Sequence, residues 1–422
     1  MTLSWVFLAL SLTWLASTLN ALHPPKWGLA SIPSFFAGWV VSELPGFNLL
    51  AQVVATALLA WGGALHHWPG WLGLAFGVAS WVGLAVLELS SVRSWRHIED
   101  ALESMGMPPA GKPSVPFLEA RIPVTAIPRS VERVRNVDYW GDGIPPHRLD
   151  IYRPRPASLA ASSASSSPGT PAGSGPGGAP VLLYIHGGGW VIGDKREQGR
   201  PMMHHLARSG WVCVTANYRL SPRATWPDLG IDCKRALSWV KENIASYGGD
   251  PSRIIVSGGS AGGHLAAWVA LTAGDPEFQP GFEAVDTTVA GCLPFYGVYD
   301  FTNDGGAFDR RFTAFLERAV FKSKLADNRA AFEGASPYWR AHPGAPPFLA
   351  IAGRNDTLVP VAEPRRFVEK LRATSTNPVG YVELPFTQHA FEIFPTVRCS
   401  YAIRTVNRFL QFVESSNVAA HD

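Results

Sequence analysis

Two long stretches of the chain carry no formal charge, and this limits its folding more than any other feature. From Met1 to Pro25, and again from Leu44 to Leu87, there is no Asp, Glu, Lys or Arg. Within them lie VFLALSLTWLASTLNAL (6–22), LLAQVVATALLAWGGAL (49–65) and GWLGLAFGVASWVGLAVL (70–87). A helix needs roughly 20 apolar residues to cross a bilayer. With their flanks, these runs predict a membrane region over 1–97 with three spans, at 3–22, 46–65 and 69–88. Nine of the 16 tryptophans precede residue 98, several at the ends of the runs, where an interfacial aromatic belt sits. A signal peptide over 1–22 followed by buried soluble helices is the weaker reading, because the first run lacks a basic leader and two further spans follow.

WGLASIPSFFAGWVV (27–41) is apolar but short: a fourth span, a re-entrant piece or an interfacial helix. With three spans, Lys26 and Arg93/Arg96 share one side, which the positive-inside rule makes cytoplasmic, and the rest of the chain lies there too. With four, it lies outside. Three spans are favoured, so the chain reads as a multi-pass membrane protein with a cytoplasmic C-terminal domain.

After Glu99 the composition becomes that of a soluble protein. Residues 98–129, with MGMPPAGKPSVP at 105–116, read as a connector or cap, and 130–416 as one domain. Strand-like segments lie at 131–140, 147–154, 181–186, 211–219, 253–258, 288–297, 347–353 and 380–385. From residue 180 they alternate with helical segments at 202–210, 229–249, 261–274, 363–373 and 401–415. Such alternation predicts an α/β fold with a mostly parallel sheet covered on both faces. The stretch 156–180 is low in complexity, has few large apolar side chains, and is expected to form a surface loop. A net charge of +3 with scattered basic residues argues against nucleic acid as a partner. Four distant cysteines offer neither a metal-ligand spacing nor a disulfide framework.

The chemistry gathers where strands end. Gly258-Gly259-Ser260-Ala261-Gly262 fits G-x-S-x-G between a strand and a helix, the context that gives this pattern meaning. A serine on such a turn faces the N–H groups and positive dipole end of the following helix. The alternative is a glycine-rich turn with an incidental serine. His186-Gly187-Gly188-Gly189-Trp190 ends an earlier strand, and its glycines expose amides that can converge on an oxyanion. Phosphate cradling is the rival use, but no Gly-Lys-Ser/Thr or GxGxxG follows. A hydroxyl nucleophile needs a base, and the base an orienting carboxylate. Downstream, PFLAIAGRNDTLVP places Asp356 past one strand and GYVELPFTQHAFE places His389 past another. Asp300, after YGVYD, is the rival acid; His264, on the helix after Ser260, reads as a packing residue.

Together HGGGW, NYRLSP (217–222), GGSAGGHLAA and HAFE make residues 130–415 resemble the hormone-sensitive-lipase-like (family IV) esterases of the α/β-hydrolase superfamily. That resemblance implies an α/β-hydrolase fold and a catalytic triad of Ser260, Asp356 and His389. It also implies an oxyanion hole at Gly188, Gly189 and Ala261, with Gly187 a weaker donor and His186 a structural residue. Two departures bear on substrate class. Gly258-Gly259 stands where the family usually has an acidic residue, and NDTLVPVAE looks more like the acid segment of prolyl-oligopeptidase-type hydrolases.

The resemblance implies a serine carboxylesterase or lipase that needs neither metal nor organic cofactor. Trp190, Phe295 and Tyr296, at strand ends, are the candidate substrate-binding residues, and FDRRFTAFLERAVFKSKL within 301–340 is a candidate lid. The expected partners are a small apolar ester or lipid substrate and the bilayer. An isoprenylcysteine methylesterase-like activity, or an amide or peptide hydrolase of the same fold, is the alternative. From another class, a catalytically silent membrane scaffold would normally lack a triad member, and none is missing. The oligomeric state cannot be read from the sequence.

Overall fold

The computed structural model describes residues 1–26, 28–115, 127–155 and 178–419. Most of the expected surface loop, 156–177, and part of the expected connector, 116–126, lie outside the described residues.

Four helices form the N-terminal region: α1 (Thr2–Leu22), α2 (Ser31–Glu43), α3 (Pro45–Trp61) and α4 (Trp68–Arg93). Prolines open α3 and α4, where the missing N–H is no loss and the fixed φ suits the first turn. By length and composition α1 and α4 can each cross a membrane, whereas α2 and α3 pass the same test only as a pair, bent by 88°. The expected span 46–65 is therefore a shorter helix that ends at Trp61, and 27–41 contributes a separate helix, α2.

The packing of α1 on α4 follows from small residues. A Cβ on Gly73 would come within 3.1 Å of Leu8 Cα, and one on Gly83 within 2.5 Å of the Thr18 side chain. Polar groups reinforce the seam: Thr18 and Ser80 hydroxyls lie 2.9 Å apart, and Ser80 donates to Gln52 of α3 at 2.9 Å. Close backbone approach with a few interhelical hydrogen bonds is how helices associate in lipid. At one end of the bundle Trp5 meets Trp68, ring centroids 5.3 Å apart. At the other, Asn20 and Ser34 exchange two hydrogen bonds of 2.8 Å, tying the end of α1 to α2.

The C-terminal part is built on eight strands: β1 (Val131–Asp138), β2 (Arg148–Pro154), β3 (Ala179–Ile185), β4 (Val212–Ala216), β5 (Gly249–Gly259), β6 (Gly291–Phe295), β7 (Phe348–Gly353) and β8 (Val379–Leu384). Their order is β1-β2-β4-β3-β5-β6-β7-β8. The pairs of β2 with β1 and β4 are antiparallel and the rest parallel. Alternate residues face two cores. Val181, Leu183 and Ile185 of β3 point into one, Leu182 and Tyr184 into the other. With both faces covered, the strands read as continuous apolar runs.

The second core is shared with the N-terminal region. The expected connector begins instead with helix α5 (Trp95–Glu103), whose Ile98, Ala101 and Leu102 are buried with Phe35 of α2 and with Val406, Phe409 and Val413 of the helix Val397–Ala419. Glu99 also pairs with Arg408. The N-terminal helices and the sheet are thus joined through α5, whose apolar side, masked in sequence by its acidic residues, helps to close this core.

Candidate active site

Ser260 sits between β5 and the helix Ala261–Leu271 with φ 58° and ψ −121°, a conformation costing about 1–3 kcal/mol for a residue with a side chain. Two hydrogen bonds hold it there: Ser260 N donates to Phe295 O at 3.0 Å, and His264 N to Ser260 O at 3.0 Å. The glycines on either side are steric necessities. A Cβ at Gly258 would lie 2.4 Å from Gly262 O, and one at Gly262 only 2.0 Å from Ile185 O. From Ile254 to Thr272 every residue is buried except Ser260, which is half-buried. The turn therefore makes a single side chain reachable.

Beside it, β3 ends in the HGGGW segment. Gly187 N donates to Gln198 Oε1 at 2.7 Å, so this amide is already committed. Gly188 and Gly189 are half-buried and have positive φ of 114° and 57°. Among the described residues their N–H groups have no acceptor. Ala261 opens its helix, where an N–H has no intrahelical partner. Backbone N–H groups without acceptors are the kind of donor that can stabilise a developing anion. His186 is structural: it stacks on Tyr218 at 4.5 Å, and burial pushes its imidazole down to about 4.

Asp356 follows β7 and His389 follows β8, and the two side chains meet: Asp356 Oδ2 accepts from His389 Nδ1 at 2.7 Å. Asp356 Oδ1 accepts from the amides of Leu358 and Val359, both at 2.8 Å, which fixes the carboxylate. A carboxylate only accepts, so Nδ1 carries the proton and Nε2 is left as the basic nitrogen. No hydrogen bond joins Ser260 to His389 directly. Tyr296 packs against the base, its ring centroid 4.5 Å from the imidazole, and its hydroxyl lies against Gly259. The rival acid is engaged elsewhere: Asp300 pairs with Arg366 and accepts from Thr302 Oγ1 at 2.6 Å. His264 is wholly buried between Trp190 Nε1, 3.1 Å away, and Ala335 O, at 2.8 Å, and burial lowers its pKa to about 3.

The three candidate substrate-binding rings are all buried. Trp190 is 2% exposed and bound to His264; Phe295 is 0% and Tyr296 1% exposed. Phe315, on the expected lid segment, is the ring that approaches Gly189 from outside, 4.0 Å from where its Cβ would be.

Two features escaped sequence reasoning. Glu392 is buried and accepts from Tyr184 at 2.9 Å and from the Tyr296 hydroxyl, so it braces the ring that touches His389; burial raises its pKa. Its only sequence signal was its place in HAFE. The other is α2: Phe35 packs edge-on to His389 at 6.2 Å, and Trp39 Nε1 donates to Ala390 O at 3.1 Å. No local pattern announces contacts across 351 positions.

A parallel sheet with a strained serine turn after β5 and an Asp–His pair after β7 and β8 defines an α/β-hydrolase, and comparison with known proteins agrees. Residues 170–371 match the BD-FAE family. The probable carboxylic ester hydrolase LipM of Mycobacterium tuberculosis is 40% identical over 421 residues, covering 96% of this chain and 93% of that protein. Esterase LipQ of the same organism is 46% identical over 242 residues, 57% of each chain. A butyrate-bound esterase from Thermogutta terrifontis shares the fold with a TM-score of 0.53, at 24% identity over 68% of this chain and 95% of that one. The chain belongs to the LipM-like carboxylic ester hydrolases and is an esterase of the α/β-hydrolase superfamily.

Proposed function

We propose that this esterase works through an acyl-enzyme formed on Ser260. His389 Nε2 takes the hydroxyl proton as Ser260 Oγ attacks the ester carbonyl, and Asp356 steadies the imidazolium. The tetrahedral oxyanion accepts hydrogen bonds from Gly188, Gly189 and Ala261. His389 then returns the proton to the departing alcohol, and water attacks the acyl-enzyme by the same route in reverse. The observation that supports this reading is the fixed Asp356–His389 pair after β7 and β8, together with Ser260 as the one side chain of the buried β5 turn that is not fully buried. Replacing Ser260 with Ala tests it: hydrolysis of short-chain aryl esters and labelling by a fluorophosphonate should both vanish. Retained turnover would refute the assignment.

We further propose that α1, α3 and α4 cross the bilayer and α2 lies along its surface. Leu3, Trp5, Gly62 and Trp68 gather at one end of the bundle, and the ends of α1 and α4 adjoin the catalytic domain at the other. The 88° bend sets α2 across α3. With 17 residues α3 is about 26 Å long, short of the hydrocarbon thickness by an amount bilayers accommodate. Lys26, Arg93 and Arg96 then share the side of the catalytic domain, which the positive-inside rule makes cytoplasmic. On this arrangement only the thickness of a helix, about 10 Å, separates His389 from lipid, which favours an apolar, membrane-borne acyl ester as substrate. Fluorophosphonate labelling of intact against opened membranes tests the sidedness.

A further inference from the structure

The loop that carries His389 is strained and is held from outside. Phe386 and Ala390 both adopt left-handed backbone, with φ of 52° and 59°. Such conformations persist in residues with side chains only where the surroundings enforce them. Here the enforcing groups come from the N-terminal helices. Trp39 Nε1 donates to Ala390 O at 3.1 Å, and Gln388 N donates to Glu43 Oε1 at 3.3 Å, so the residues on both sides of His389 are tied to α2. Phe35 packs edge-on to the imidazole and stacks on Trp39, ring centroids 5.0 Å apart. Glu43 is itself fixed by the buried Arg398 guanidinium, which also donates to Ser42 O.

The acid is held in the same way. Asn355, which precedes Asp356, donates through Nδ2 to the carbonyls of Ala21 and Leu22, each at 3.0 Å. These belong to the last turn of α1, where helix carbonyls lack intrahelical partners. Lys26 Nζ donates to Arg354 O at 2.7 Å. Both members of the Asp356–His389 pair are therefore flanked by anchors to residues 21–43.

We propose that α2 is a working part of the catalytic centre, and that Trp39 and Glu43 are positioning residues that hold the His389 loop in the alignment proton transfer requires. This rests on the assignment of Ser260, His389 and Asp356 made above. A helix that only tethers the enzyme to the bilayer would not need to grip the residues on either side of the base.

The test uses the full-length chain in detergent micelles, with a short-chain aryl ester as substrate and a fluorophosphonate to count active serines. Trp39→Phe keeps the ring stack and removes the N–H; Glu43→Gln keeps the shape and removes the charge. In each, kcat per titrated serine should fall by about tenfold or more with KM within about twofold, since small misplacements of catalytic groups act on turnover. Labelling should be slower but reach the wild-type endpoint, and the acid limb of the pH profile should move. Ile32→Ala, on the exposed side of α2, should leave all of these unchanged. If instead both variants lose labelled sites, wholly or in part, while any sites that remain turn over normally, α2 supports the fold alone and the proposal is overturned. Failure of the underlying assignment is separate: it would appear as activity surviving in Ser260→Ala.

Discussion

Replacement of Gly262 by Ala tests whether the serine turn and the glycine loop work as one unit. A Cβ at this position would lie 2.0 Å from Ile185 O and 2.6 Å from His186 O, where 3.0 Å is the closest approach such atoms tolerate. The helix Ala261–Leu271 and the end of β3 must therefore part by about 1 Å. That movement separates Ala261 N from Gly188 and Gly189, the two halves of the proposed oxyanion site. Misplacement of catalytic groups by about 1 Å can cost on the order of 100-fold in rate, and overpacking of this kind destabilises by roughly 1–3 kcal/mol. We expect kcat/KM per titrated serine to fall about 100-fold, with a lowered melting temperature. Gly344→Ala is the control, since its nearest neighbour would be His342 Nδ1 at 3.5 Å. A Gly262→Ala enzyme within about twofold of wild type would refute the coupling of the two segments.

Further outcomes follow from the same geometry. Asp356→Asn should retain the amide contacts of Leu358 and Val359 while lowering kcat by roughly 10⁴-fold; steady-state kinetics beside a melting curve separates the two effects. Tyr296→Phe leaves the buried Glu392 with Tyr184 as its one remaining tyrosine donor and should destabilise by about 1–3 kcal/mol, read as a drop in melting temperature. Phe315→Ala, which opens the approach to Gly189, should shift acyl-chain preference toward bulkier esters, and an unchanged chain-length profile would count against its place at the entrance. His264 has a folded pKa depressed to about 3 against 6.5 unfolded, so its contribution is present above 6.5 and lost as pH falls toward 3. The melting temperature should fall between pH 7 and pH 5, less steeply in His264→Gln; equal slopes would contradict it.

Much of the catalytic domain was legible because its strands are buried on both faces and so stand out as apolar runs between turns. The serine turn was legible because Gly258 and Gly262 have no steric alternative. Asp356 is preferred to Asp300 for its spacing to His389 and its Asp-x-Leu-Val-Pro turn; the ion pair of Asp300 with Arg366 carries no such local signal. The burial of Trp190 against His264 was not legible, since the contact joins residues 74 positions apart and nothing local announces it. Nor was α2, whose meaning lies in Phe35, Trp39 and Glu43 meeting a loop more than 340 positions away.

The shared second core also sets an order of events during synthesis. Residues 31–103 leave the ribosome long before Arg408, which lies 309 positions after its partner Glu99. Until the helix Val397–Ala419 arrives, one face of the growing sheet waits uncovered beside the N-terminal helices. The N-terminal segment is thus a template on which the hydrolase is completed.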